Sequence, residues 1–202
     1  MAFYRKSKNY NTNVKKINID ILKNTRYKKV YSALVQAKKL YAVDKSACCL
    51  KLRYALEMII AQLLEITNKD SAPNNSTLEN IKILEQAIPP ILRTAPGCDI
   101  IGEMHTLRIN GNNSVHYGSN RNRNIDKSTH TCWIAMEKIC YWIVDFEAKY
   151  RDYMEQKELA EQKARRTRAA INQVNNTWYH IGKGLLALPK MIVSAIFGSK
   201  KK

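Results

Sequence analysis

The sequence predicts an all-α protein: a bundle of four to five helices that carries a long, extended C-terminal helical arm. Three observations predict it. Glycine and proline are scarce, at 7 and 5 in 202 residues. No segment alternates apolar and polar residues as a half-buried strand does, and apolar residues recur at steps of three and four, the spacing that lines one face of a helix.

The elements follow in order. A basic segment, residues 1–25, comes first, and Arg26 to Ala42 reads as the first helix. Ser46 is the expected cap of the next, SACCLKLRYALEMIIAQLLEIT, in which Leu52, Leu56, Ile59, Ile60, Leu63 and Leu64 mark a broad apolar face. The stretch NKDSAPNNST is a loop by its turn-forming residues, and Ser76 with Glu79 has the spacing of a capping box that opens a helix toward Ile88. Pro89-Pro90 stops that helix, because proline lacks the amide donor and restricts the residue before it. Pro96-Gly97 leads to Asp99, the expected N-cap of the helix that carries LRINGNNSVHYG. Within it, Gly111 is expected to let the chain bend. Asp126 then caps a long helix in which Trp133, Met136, Cys140, Ile143, Val144, Tyr150 and Met154 keep helical spacing.

After Met154 the pattern stops. EQKELAEQKARRTRAA is too charged to pack as one continuous face, which predicts a solvated helical arm. The expected organisation is a basic segment 1–25, a helical domain 26–154 and an arm 155–202. At the end of the arm, Ile171, Val174, Trp178, Ile181, Leu185, Leu188, Ile192 and Ala195 form a seam of alternating three- and four-residue steps, the period of helix–helix association. Gly182 and Gly184 weaken that helix and Pro189 should kink or restart it. The run LLALPKMIVSAIF, at 13 residues, is about 20 Å of helix against roughly 30 Å of bilayer hydrocarbon, too short to span. Packing on its own domain or a second copy, lying in a membrane interface beside the basic GSKKK, and disorder all remain open for it.

Charge narrows the partners. The net charge is +17, and it sits at the two ends: residues 1–30 hold nine Lys/Arg and one acid, residues 149–202 hold twelve and four, and the middle is nearly neutral. Basic ends on a neutral body suit a polyanion, either nucleic acid or an anionic membrane surface, although a solvated tail has the same composition. Arg121 and Arg123, with Arg165, Arg166 and Arg168 on the arm, are the candidate nucleic-acid contacts. Five cysteines, Cys48, Cys49, Cys98, Cys132 and Cys140, follow no paired spacing. They read as reduced core residues of a cytoplasmic protein, peripheral at the membrane if the apolar end inserts. No metal or cofactor is expected: H-E-x-x-H, a glycine loop before lysine and G-x-S-x-G are all missing from the sequence.

Two stretches carry candidate chemistry. In KLRYALE, Arg53 and Glu57 lie four apart on one helix face and can pair as ions. In LRINGNNSVHYG, Asn112 and His116 share that spacing, so they point the same way if the helix continues past Gly111, with Arg108 one turn before. Arginine and histidine so placed stabilise a phosphate and exchange a proton with a ribose hydroxyl, as metal-free RNA cleavage requires. The alternative is a structural histidine, bonded to Asn or Glu, that ties helices together.

KLRYALEMIIAQL followed some fifty residues later by LRINGNNSVHYG resembles a branch of the HEPN (higher eukaryotes and prokaryotes nucleotide-binding) superfamily. The branch comprises bacterial domains of unknown function that stand alone or begin some type I restriction-enzyme subunits. Arg53, Leu56, Glu57, Leu107, Arg108, Gly111, Asn112 and His116 fit its R-x-x-L-E and L-R-x-x-G-N-x-x-x-H elements over roughly residues 26–150. The resemblance implies an HEPN-like bundle of four to five helices, frequently a homodimer with the motif histidines facing a shared cleft, in a bacterial or mobile-element defence setting such as toxin–antitoxin or antiviral systems. Many HEPN proteins are metal-independent endoribonucleases. In that version His116 is the acid/base, Arg108 stabilises phosphate, Asn112 orients the imidazole, and Arg53 and Glu57 hold the others in place. Seven residues separate Arg108 from His116, where the family's catalytic signature has four to six. A non-enzymatic dimerisation or interaction module therefore stays open beside the enzyme, with residues 171–197 binding a partner protein or membrane surface and RNA or DNA as the polyanion.

Overall fold

The structure, a computed structural model, describes the backbone of residues 17–95, 98–116 and 125–186 and the side chains of 17–94, 98–113 and 125–180. It is an all-α bundle with a long C-terminal helix. A 3-10 turn, Asp20–Leu22, leads into α1 (Lys28–Leu40), α2 (Lys45–Ile66), α3 (Thr77–Ala87), the single turn α4 (Pro90–Arg93), α5 (Ile100–His116) and α6 (Ile125–Leu186). Two-residue strands β1 (Thr94–Ala95) and β2 (Cys98–Asp99) pair antiparallel, with Thr94 opposite Asp99. Neither this small ribbon nor α4 is signalled by periodicity. Pro90 does end α3 as expected, but as the first residue of α4 its fixed φ also starts a new turn.

Helix α2 is the axis of the bundle and packs on α1, α3 and α5. The apolar face read from the sequence is buried in full, together with Cys48, Cys49 and Ala55. Full burial of each Leu or Ile contributes about 1.5–3 kcal/mol, so this face of α2 is a large source of stability in the bundle. Its start differs from expectation. The cap is Asp44, whose carboxylate accepts from the Ala47 amide at 2.9 Å, because Ser46 already lies inside the first turn.

The end of α2 fixes where the next loop goes. Asn68 takes a left-handed φ of 52°, its amide donates to Glu65 O, and the Lys69 amide donates to Leu64 O. Those two bonds close a Schellman motif, with asparagine in the position glycine usually fills. The loop that follows is tied down by Asn80, which is 5% exposed. Its side-chain oxygen accepts from the Ala72 amide at 2.7 Å and its amide nitrogen donates to Asn75 Oδ1 at 3.3 Å.

Helix α3 begins at Ser76, but the expected capping box does not form. Ser76 is the N-cap residue and makes no side-chain capping bond. Glu79 pairs instead with Lys82 at 3.0 Å. Asp99 caps α5 as expected, accepting from the Ile101 amide at 3.2 Å. Asp126 does not cap α6; it lies in the first turn, where its negative charge complements the helix dipole, and pairs with Lys45.

The side chains of α6 that face the bundle are Thr129, Cys132, Trp133, Ala135, Met136, Ile139, Cys140, Ile143 and Phe146, all buried. Val144, expected on that face, is exposed. Trp133 Nε1 donates to Cys48 Sγ at 3.3 Å, and Cys49 Sγ donates to Thr129 Oγ1 at 3.3 Å, stitching α2 to α6. The cysteines are free, and all but the half-buried Cys98 are buried. Burial pushes the Cys48 and Cys140 thiols up to about 12. Thiols so protonated are poor nucleophiles, which leaves them a packing role.

The chain divides into two compact units, residues 1–150 and 151–202. In the second, the α6 backbone is helical to Leu186 through Gly182 and Gly184, and every described side chain from Glu155 to His180 is exposed. Ile171, Val174 and Trp178 are 53%, 54% and 68% exposed. Ile181 and Leu185 lie on the helix with side chains outside the described residues, and Leu188, Pro189 and the rest of the seam lie outside the described residues altogether. Among the described residues no helix is long and apolar enough to cross a membrane.

Candidate functional site

Helix α5 runs unbroken from Ile100 to His116, so Gly111 does not bend it. Glycine is there for a different reason. A Cβ built on Gly111 would lie 3.1 Å from Arg53 Cβ, so α5 and α2 cross so closely that any side chain at that point would have to push Arg53 away by a few tenths of an ångström. This approach brings the two sequence motifs together.

Arg53 sits at the crossing. Its Nε donates to Glu57 Oε1 at 3.0 Å, and its Nη1 donates to Asn112 Oδ1. Glu57 Oε1 also accepts from Thr77 Oγ1, the first residue of α3, at 3.1 Å. Arg53, Glu57, Asn112 and Thr77 thus form one clamp that joins α2, α3 and α5. The ion pair read from the sequence is present, and it is half-buried, with side-chain exposures of 32% and 40%.

Beside the clamp opens a cleft of about 340 Å³. Arg53, Glu57, Arg108 and Asn112 line one side. Ile60, Ala61 and Leu64 of α2, with Leu78 of α3, supply apolar lining, and Ser71, Asn75, Ser76, Thr77 and Asn80 supply polar lining. Arg108 differs from Arg53 in having no counter-ion. Its Nε is buried without a hydrogen-bond partner, and among the described residues no carboxylate pairs with it. The one acid of α5, Glu103, is taken by Lys138 at 2.5 Å. With Glu57 set against Arg53, the lining carries a net single positive charge, on Arg108.

Of the candidate residues, the structure brings together Arg53, Glu57, Arg108 and Asn112. Asn112 Oδ1 is engaged by Arg53. His116 is the last residue of α5, one turn past Asn112, and its side chain lies outside the described residues. Arg121 and Arg123 also lie outside them. Arg165, Arg166 and Arg168 are exposed on the arm, in the other unit. Among the described residues no His, Cys, Asp or Glu cluster could hold a metal ion.

Reading the sequence missed three contributors: Thr77, Asn80 and the N-terminus of α3. The turn-rich composition of NKDSAPNNST signalled the loop, but not that Asn80, outside it, would hold it against the cleft. No family model, curated protein or solved structure matches the chain.

Proposed function

We propose that the chain is an HEPN-like, RNA-interacting protein of a bacterial or mobile-element defence system, acting as a metal-independent endoribonuclease. One observation carries the reading. The two motifs meet at Arg53 and Asn112, and Arg108, one turn along the same helix, lines a cleft as a half-buried guanidinium with no carboxylate paired to it among the described residues. A buried cation left uncompensated favours an anion beside it, because charge taken out of water needs a partner.

In this reading Arg108 binds the phosphate and neutralises the charge that grows on it as the ribose 2′-oxygen attacks phosphorus and the 5′-oxygen leaves. His116 accepts the hydroxyl proton and returns one to the leaving oxygen. Arg108 and His116 are eight residues apart, about 12 Å along the helix axis. Arg53 and Glu57 position Asn112 and, through Thr77, the start of α3. The basic ends, Arg165, Arg166 and Arg168 among them, retain the polyanion through phosphate contacts. The test is incubation of the purified chain with RNA in chelator. Cleavage that yields 2′,3′-cyclic phosphate ends and disappears in His116→Ala and Arg108→Ala supports the reading; cleavage that survives His116→Ala overturns it.

A second reading is a homodimerising interaction module without catalysis. It is favoured by the exposed Ile171, Val174 and Trp178, an apolar stripe on one face of the helix. It predicts that removing residues after Ala170 abolishes self-association or vesicle binding while the 1–150 unit stays folded. Sedimentation of the truncated chain as the same oligomer counts against it.

A further inference from the structure

We infer that the exposed stripe of Ile171, Val174 and Trp178 lays the arm on an anionic lipid surface, with Lys163, Arg165, Arg166 and Arg168 reaching the headgroups. This gives the stripe one occupant and rests on the second reading above only in taking the stripe for a contact surface; the cleft, Arg108 and His116 do not enter.

The arm changes charge partway along. From Arg151 to Glu161 the acids Asp152, Glu155, Glu158 and Glu161 stand against Arg151 and Lys157. After Glu161 the sequence holds no acid, and residues 162–202 carry nine Lys/Arg. Four of these, Lys163, Arg165, Arg166 and Arg168, have described side chains, and all four are exposed. Ile171, Val174, Trp178 and Tyr179 are each more than half exposed. At 3.6 residues per turn the stripe occupies an arc of about 60°, with Lys163 and Arg168 on either side of it. Asn172, Gln173 and Asn176 fall on the opposite face. An apolar strip bordered by long cations is the pattern of a helix that lies in a membrane interface: the strip enters the acyl boundary while the Lys and Arg stems reach back to the headgroups. Trp and Tyr rings, apolar with one polar edge, settle at that depth. The run LLALPKMIVSAIF, which follows beyond the described side chains, adds apolar sequence of the same kind.

A second copy suits the stripe poorly. Parallel arms set Lys163, Arg165, Arg166 and Arg168 against themselves. Antiparallel arms that overlay the two stripes set these cations opposite positions 181–186, which hold Lys183 and no acid. The register that brings Glu158 opposite Arg165 places Ile171 opposite Asp152, so it gains the ion pair and loses the apolar contact. Like charges facing each other across a helix pair disfavour that pairing, and each arrangement gives up one of the two features. An anionic bilayer meets both at once. RNA would engage the cations, but contacts to its phosphates leave Ile171 and Val174 in water.

The experiment measures co-sedimentation of the full chain with phosphatidylcholine vesicles, plain or with phosphatidylserine as about a third of the lipid. Wild type is compared with Ile171→Ser/Trp178→Ser and with Arg165→Gln/Arg166→Gln/Arg168→Gln. All five positions are exposed on the arm, and an unchanged thermal midpoint by circular dichroism shows that the bundle stays folded. Wild type should bind the phosphatidylserine vesicles and not the plain ones. A cation near such a surface contributes about a factor of five in affinity, so the glutamine variant should lose on the order of 100-fold. The serine pair should lose roughly tenfold or more. Tryptophan emission should shift to the blue with vesicles in wild type and not in Trp178→Phe. No binding to phosphatidylserine vesicles, equal binding to plain ones, a serine pair that binds as wild type does, or a blue shift that persists in Trp178→Phe overturns the inference. Sedimentation equilibrium without lipid separates it from the reading it rests on. An oligomer that the serine pair dissolves assigns the stripe to a second copy and overturns the inference while the second reading stands; a monomer that binds no vesicle overturns both. RNA retention lost in the serine pair assigns the stripe to nucleic acid and likewise overturns the inference.

Discussion

Replacing the two described glycines of α5 by alanine should move stability in opposite directions. Alanine is favoured over glycine inside a helix by about 1 kcal/mol, so propensity alone makes both substitutions stabilising. At Gly102 nothing lies within 4 Å of the new methyl, and propensity acts alone, less some reduction for a first-turn position; the gain is about 0.5–1 kcal/mol. At Gly111 the methyl meets Arg53 Cβ at 3.1 Å, with Cδ at 3.5 Å and Cγ at 3.6 Å. Carbon atoms pack best at about 3.5–4.0 Å, so α2 and α5 must part by several tenths of an ångström. Because the closest atom is a Cβ, it cannot swing aside as the end of a side chain does. Overpacking of this kind costs about 1–3 kcal/mol, which cancels or outweighs the propensity gain and strains the Arg53–Asn112 bond. The two variants should therefore differ by roughly 1–3 kcal/mol, read by urea denaturation monitored through helical circular dichroism. Gly111→Ala stabilising the protein as much as Gly102→Ala would refute the close crossing, and with it the explanation of why the motif carries glycine.

Asn80→Ala leaves the Ala72 amide buried without its acceptor and should destabilise by about 1–3 kcal/mol in the same denaturation assay, with a larger loss than Asn80→Asp, which keeps the acceptor. Arg53→Gln and Asn112→Ala, made singly and together, should show a coupling of about 0.5–3 kcal/mol in a double-mutant cycle, whereas additive losses would mean the clamp does not act as a unit. Burial pushes the Cys48 and Cys140 thiols up to about 12 from a reference of 9.0. A raised folded value makes this contribution complete below about pH 9 and progressively lost toward pH 12, on the order of 4 kcal/mol per thiol across the window. Denaturation midpoints at pH 7, 9 and 10.5 should fall in that order, and fall less in Cys140→Ala. Replacing Arg165, Arg166 and Arg168 by glutamine should flatten the dependence of RNA affinity on salt, because a chain that neutralises fewer phosphates displaces fewer counterions; an unchanged slope in filter binding would exclude the arm from the interface.

What was legible in the sequence was what depends on near neighbours or on period. The apolar face of α2, the cap at Asp99, the stop at Pro89-Pro90, the Arg53–Glu57 pair and the solvated arm are all encoded within a few turns of chain. The misreadings share a cause: a competing group outside the pattern. Ser46 lost the cap to Asp44, two residues before it, because a carboxylate there already reaches the Ala47 amide. Glu79 left the capping box for Lys82, and Asp126 was drawn to Lys45 on a different helix. Gly111 reads locally as flexibility, while its reason is the approach of Arg53 on another helix. Of the candidate site, Arg53, Glu57, Asn112 and Arg108 were legible in the sequence, but Thr77 and the rest of the lining depend on where the α2–α3 loop folds back.

The two motif arginines differ in how their charge is met within the fold. Both lie on helices that border one cleft, and both are partly buried. Arg53 has its carboxylate one turn away on its own helix and an amide oxygen across the crossing, so its donors are spent on holding α2 to α5. Arg108 sits on a helix whose single acid, Glu103, is drawn off by Lys138 from α6, and the residue one turn ahead of it, Asn112, already accepts from Arg53. Glu103 is also five residues from Arg108, on a different face of the helix, so α5 offers Arg108 no carboxylate of its own. Desolvation makes such a charge costly when it stands alone and strengthens its attraction for an anion that enters from solvent. The pairings that hold the helices together leave the Arg108 guanidinium without a carboxylate among the described residues, which is what the proposed phosphate contact requires.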